Sequence, residues 1–157
     1  MPSPVKVEHI NPFVSATMET FQSMMKTTVT PGKIILVKGA ELHHDISGII
    51  GLSGGAKGTI TLSFPKLTAL KTVSAFIGEK VVTMDEIVKD AIGELANIVA
   101  GAAKKDLTQF KISISLPTVI VGDGHEVMGG KEVIPLAVPF ESPFGKFSLI
   151  VAFKSES

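Results

Sequence analysis

The chain has 157 residues, of which 45% are hydrophobic and 19% charged, so it is long enough for one domain with a real core and is globular rather than disordered in balance. Fifteen basic and fifteen acidic residues cancel, which argues against the clustered positive charge that nucleic acid requires. No apolar run approaches a membrane span, Met1–Lys6 lacks the apolar segment of a signal peptide, and the absence of cysteine excludes disulfides and thiol chemistry, so the expectation is a cytoplasmic protein.

Asn11 and Pro12 predict the start of a first helix, because Asn accepts from first-turn amides and Pro suits the first helical position. Phe13, Val14, Thr17, Phe21, Met24, Met25 and Thr28 fall on one side and Ser15, Glu19 and Gln22 on the other, with Pro31-Gly32 as the stop. Lys33–Val37 predicts a short strand and Leu42–Ser53 a second one. Gly54-Gly55 then turns into Gly58–Phe64, whose alternation places Ile60, Leu62 and Phe64 inward. Pro65 starts a second helix through Leu67, Leu70, Val73, Phe76 and Ile77, and Gly78 ends it.

Asp85–Lys105 predicts the longest helix. Thr83 and Glu86 have capping-box spacing at its start, and Lys104 and Lys105 complement the dipole at its end. Phe110–Leu116 alternates as a strand that Pro117 breaks, and Thr118–Val121 resumes it. Two more strands, about Glu132–Phe140 and Phe144–Phe153, join through Glu141-Ser142-Pro143. With no fixed-period repeat and no linker, residues 1–157 read as a single α+β domain. Its sheet is mostly antiparallel, with long helices packed on one face.

Several constellations of reactive residue types fail on geometry. Gly122–Lys131 misses phosphate-loop spacing, since His125 stands five before Gly130 and no Ser or Thr follows Lys131. Glu41, His43, His44 and Asp45 are metal-ligand types, but strand neighbours point to opposite faces, and His9 and His125 are isolated. No Gly-x-Ser-x-Gly elbow is present, so Ser47 and Ser53 read as strand or turn residues.

The long helix is different. At roughly 100° per residue, Val88, Ile92, Leu95, Ala96, Val99, Ala102 and Ala103 gather as an ordinary core face. Asp90, Glu94, Asn97 and Gly101 share an opposite strip about 60° wide. A mid-helix Asn competes for backbone hydrogen bonds, and a mid-helix Gly costs about 1 kcal/mol relative to Ala. Asn97, Gly93 and Gly101 therefore trade helix stability for something else. A low surface carrying a carboxylate and an amide one turn apart is suited to entering a partner's site.

Asp90-x-x-x-Glu94-x-x-Asn97-x-x-x-Gly101 resembles the signature of the CheC/CheX/FliY phosphatases of bacterial chemotaxis, and Ala91–Asn97 with Ala100-Gly101 resembles the CheX branch. Ile46–Gly55, Ala69–Ala75 and Leu116–Gly122 resemble further segments of that family in the same order. The resemblance implies a CheC/CheX-like fold and hydrolysis of the aspartyl phosphate on a CheY-like response regulator. Glu94 would pair with a lysine of the regulator's active site and Asn97 would orient the attacking water. Asp90, Gly93, Gly101 and Lys104 would be the surrounding partner-binding residues. It implies no cofactor on this chain, with Mg2+ held by the receiver, and a homodimer joined through sheet edges. Ser15-x-x-x-Glu19-x-x-Gln22 on the first helix has the spacing of the second motif of CheC-type members, with Gln in place of Asn, and reads as a solvated face. The alternative is a non-catalytic module that docks a receiver or an adaptor through the same strip.

Overall fold

The computed structural model describes residues 3–4, 7–36, 44–122 and 135–155. The expectations placed on Val37, Glu41, Leu42, His43, most of the Gly122–Lys131 loop and Glu132 lie outside the described residues.

Helix α1 (Val7–Met25) begins five residues before Pro12 and runs through it. Asn11-Pro12 is thus not its start. The amide missing from Pro12 is one that would reach the Glu8 carbonyl, a single lost bond. Burial on both sides of the proline, Ile10 before it and Phe13 and Ala16 after it, holds the helix together across the gap. Its end also comes earlier than Pro31-Gly32. Lys26 takes a left-handed φ of 50° and its N–H donates to the Gln22 carbonyl, an αL cap, while Thr27 N–H donates to the Phe21 carbonyl. Thr28 is therefore off the helix, and Met24 faces solvent. The buried hydroxyls of Thr17 and Thr20 donate to the Phe13 and Ala16 carbonyls at 2.8 and 2.7 Å.

Among the described residues nine strands form one sheet, antiparallel at every pairing. The expected hairpin is β4 (Ile46–Gly54) and β5 (Ala56–Phe64), in register from Ile46 opposite Phe64 to Leu52 opposite Gly58. β8 (Leu136–Ser142) and β9 (Gly145–Ser155) make the second long hairpin, and β9 lies beside β5. At that turn the Ser142 hydroxyl donates to the Gly145 carbonyl and accepts from Phe144 N–H. Short strands complete the sheet: β1 (Ser3–Pro4) on β9, and β2 (Thr30–Pro31) and β3 (Ile35–Leu36) on β8. β6 (Ile112–Ile114) and β7 (Thr118–Val121) both lie along the outer side of β4.

The three helices cover one face of this sheet. Ile46, Ile50 and Leu52 of β4, Ile60, Leu62 and Phe64 of β5, and Phe147, Leu149, Val151 and Phe153 of β9 join the helices in one core. Phe147 is its aromatic centre, with the rings of Phe21, Phe64 and Phe140 stacked at 5.0, 5.0 and 5.1 Å. The opposite face of the central strands is not solvated as simple alternation implies: Ser47, Thr61, Ser63, Ser148 and Ile150 are all buried there. On this face Ser47 and Ser63 satisfy one another at 2.7 Å, whereas the buried Thr61 hydroxyl has no hydrogen-bond partner among the described residues.

Helix α2 (Lys66–Ile77) starts after Pro65 and closes on Gly78, whose φ is 73°, as read from the sequence. Its buried side is Thr68, Ala69, Leu70, Thr72 and Val73, so Leu67 stays outside. Helix α3 (Glu86–Lys104) is within one residue of expectation at each end. Its N-cap is Asp85 rather than Thr83: the Asp85 carboxylate accepts from Val88 N–H at 3.2 Å.

Candidate functional site

The outward strip of α3 is positioned by its inward side. Val88, Ile92, Leu95, Val99 and Ala103 are buried in the core. Each large buried side chain contributes about 1.5–3 kcal/mol, against roughly 0.2–0.5 kcal/mol for a surface pair, so the core face alone sets the rotation of the helix.

Two glycines bring the helix close to its supports. A Cβ on Gly48 of β4 would stand 2.9 Å from the Ile92 carbonyl oxygen and 3.1 Å from the Ala96 Cβ. Only the missing side chain lets α3 lie so low on the sheet. On the flank, a Cβ on Gly93 would stand 3.2 Å from Val119 Cγ2 and 3.4 Å from Pro117 Cβ. Gly93 is buried, so the space it leaves is filled by this chain's own β7 segment and not by an incoming partner. That corrects its reading as exposed clearance.

The other strip residues lie where the helical period puts them. Asp90 and Glu94 are exposed, Asn97 and Gly101 are half-buried, and Lys104 is exposed in the last turn. A Cβ on Gly101 would meet nothing within 4 Å, so the low surface is open there. Ile87, 54% exposed, extends the strip by one turn towards the N-terminus. Among the described residues no hydrogen bond or ion pair engages the Glu94 carboxylate or the Asn97 amide. The nearest helix ion pair, Lys89 with Glu86 at 3.1 Å, involves neither. Asp90 and Glu94 are like charges one turn apart, a spacing that destabilises a helix slightly. The strip is therefore acidic, unpartnered and rigidly backed, and is suited to a cationic group on another molecule.

The remaining candidates do not converge on this strip. Ser15, Glu19 and Gln22 are exposed on α1, and the Gln22 amide oxygen already accepts from the Thr28 hydroxyl at 3.3 Å. His44 Nε2 lies 3.3 Å from the Ser148 hydroxyl, and the His9 ring meets Phe110 edge-on at 4.9 Å. Among the described residues no group of three or more His, Cys, Asp or Glu gathers in metal-binding geometry, and no helix is long and apolar enough to cross a membrane. A groove between α2 and the α2–α3 connection, lined by Leu67, Leu70, Lys71, Val81 and Phe144 among others, shares no residue with the strip. Sequence reasoning missed Gly48 and Pro117 as supports of the site. The signals were a glycine inside an alternating strand and a proline between two short ones.

The family described as chemotaxis phosphatase CheX matches residues 46–141, a span containing β4, β5, α2, the whole of α3 and β7. The chain belongs to the CheX family. It is 34% identical over 132 residues to the CheY-P phosphatase CheX of Thermotoga maritima, covering 82% of this chain and 85% of that protein. A crystal structure of CheX from Desulfovibrio desulfuricans superposes with a TM-score of 0.84 at 30% identity, over 96% of this chain and all of that one (100%). The CheX of a CheX–CheY–BeF3–Mg2+ complex from Borrelia burgdorferi superposes with a TM-score of 0.77 at 25% identity, over 96% and 98% of the two chains. The α+β architecture read from the sequence is thus the CheX fold.

Proposed function

We propose that this chain hydrolyses the aspartyl phosphate of a phosphorylated CheY-like response regulator, with Glu94 and Asn97 entering the regulator's active site. The observation that carries the reading is the pair itself. A carboxylate and an amide stand one turn apart on a rigidly backed, outward helix face, with no partner among the described residues. Membership of the CheX family supports the same reaction.

In this reading Glu94 pairs with a lysine beside the phosphoaspartate and fixes the docking angle. The Asn97 carboxamide holds a water in line with the phosphorus. Water oxygen bonds to phosphorus, the bond from phosphorus to the aspartyl oxygen breaks, and inorganic phosphate and a free aspartate result. An acyl phosphate is already activated, so placement of water and charge supplies much of the acceleration and this chain needs no nucleophile of its own. In this reading the Mg2+ belongs to the receiver's site. Asp90, Gly101 and Lys104 surround the pair on the docking face.

A cytoplasmic location accompanies that substrate. A homodimer joined through sheet edges is part of the same proposal, supported by Ile120 and Val121, which are exposed on the outermost strand β7.

The test is phosphate release from an acetyl-phosphate-charged CheY-type receiver with this chain present at one-hundredth of the receiver concentration. Multiple turnovers per chain are expected. Binding without turnover would instead identify a non-catalytic docking module.

A further inference from the structure

Strand β4 meets two strands along one side in registers that do not agree. Leu52 stands opposite Ile114, and Ile49 opposite Thr118. Ser115, Leu116 and Pro117 therefore face only Ile50 and Gly51, and the edge carries one extra residue. This is a β-bulge, a device that re-aims a side chain and recurs beside active sites.

The bulge is tied down on every side. Ser115 N–H donates to the Gly51 carbonyl at 2.9 Å, and the Ser115 hydroxyl accepts from Gly51 N–H at 2.8 Å. That same hydroxyl donates to the Leu116 carbonyl at 2.8 Å. On the other side Pro117, with its fixed φ, packs on Gly93. The bracket presents Leu116 to solvent at 87% exposure, the highest of the large hydrophobic residues described.

A single exposed leucine is unremarkable on a protein surface. Its position here is not. Leu116 and Glu94 are each one residue from the contact between Pro117 and Gly93. On the helix, Asn97 lies roughly 40° from Gly93, between it and Glu94. Ile87, also exposed, stands at the far end of the same strip. The segment that carries Leu116 and the helix that carries the polar pair thus touch at Pro117 and Gly93, and Leu116 is held by a backbone bracket rather than by its own packing. A few buried residues near the centre of an interface carry most of its affinity, and a rigid one loses little entropy on binding.

We propose that Leu116 is an apolar docking anchor for the phosphorylated receiver, buried against it when Glu94 and Asn97 enter the active site. The inference rests on the receiver-phosphatase reading and deepens it. Affinity comes from Leu116 at the bulge and hydrolysis from Asn97, so the two residues act on different kinetic constants.

Steady-state phosphate release is to be measured on an acetyl-phosphate-charged CheY-type receiver with the full chain and three variants. Leu116→Ser is expected to raise KM about tenfold or more with kcat within about twofold, and Leu116→Met, which keeps the apolar reach, to restore the parent KM. Leu67→Ser removes a comparably exposed leucine (69%) away from the strip and is expected to change neither constant. Asn97→Ala is run alongside, and loss of kcat there upholds the underlying reading on its own. An unchanged KM in Leu116→Ser with an inactive Asn97→Ala overturns the anchor alone. A fully active Asn97→Ala, or no turnover by the parent chain, overturns both. If Leu116→Ser changes the sedimentation of the free chain, Leu116 belongs to an interface between copies and the proposal fails.

Discussion

Gly101→Ala separates stability from function at one position. Gly101 lies inside α3, three residues before the helix ends at Lys104, and a Cβ there would meet nothing within 4 Å. The new methyl therefore gains the ordinary helical preference of Ala over Gly, about 0.5–1 kcal/mol, with no clash to offset it. Fraying near the helix end trims that gain towards its lower half. For a domain of this size 1 kcal/mol corresponds to about 2–4 °C, so Tm should rise by about 1–3 °C. The same methyl stands up from the surface that the receiver must approach. A displacement on the order of 1 Å at a hydrolytic centre costs as much as about 100-fold, so turnover should fall at least about tenfold. Thermal unfolding followed by circular dichroism reads the first effect, and phosphate release from the phosphorylated receiver reads the second. A fall in Tm would refute the open environment assigned to Gly101. A raised Tm with unchanged turnover would refute its role as clearance for a partner.

Other positions give distinct signatures. Gly48→Ala forces a methyl against the Ile92 backbone and should destabilise the fold by about 1–3 kcal/mol, seen as a lowered urea midpoint. Asp85→Ala removes the α3 N-cap and should cost about 1 kcal/mol, or about 2–4 °C in Tm, with kcat retained by the folded protein. Glu94→Ala should weaken docking, raising KM more than it lowers kcat. Because Glu94 is exposed and has no partner among the described residues, its Tm should stay within about 1 °C of the parent.

How far the sequence carries depends on the range of the interaction that decides each feature. The strip from Asp90 to Gly101 was legible because helical period is local. The β4–β5 hairpin was legible from Gly54-Gly55 and the alternation that follows. Both ends of α2 were legible because Pro65 and Gly78 act on their own backbone. The start of α1 was not, since burial of Ile10 overrides the local preference of Pro12 for a helix start. At α3 the capping-box spacing pointed to Thr83, but it is the Asp85 carboxylate that reaches the Val88 amide.

The supports of the site are longer-range still. Gly93 looked like clearance for a partner because a helix wheel does not show that Pro117 and Val119 occupy the space. The bulge at Leu116 exists only as a mismatch between two strand registers, which no single segment contains. Alternation in Gly58–Phe64 does not show the burial of Thr61 and Ser63 for the same reason, since burial of the second sheet face is a property of the assembled domain.

The central claim is that Asn97 performs hydrolysis on a receiver bound elsewhere on the strip. Phosphate release by the parent chain and by Asn97→Ala, each at one-hundredth of the phosphorylated receiver concentration, tests it most directly. The account predicts many turnovers for the parent and a loss of about 100-fold or more in kcat for the variant, with Tm within about 2 °C and receiver binding retained. Parent-like turnover by Asn97→Ala would contradict it.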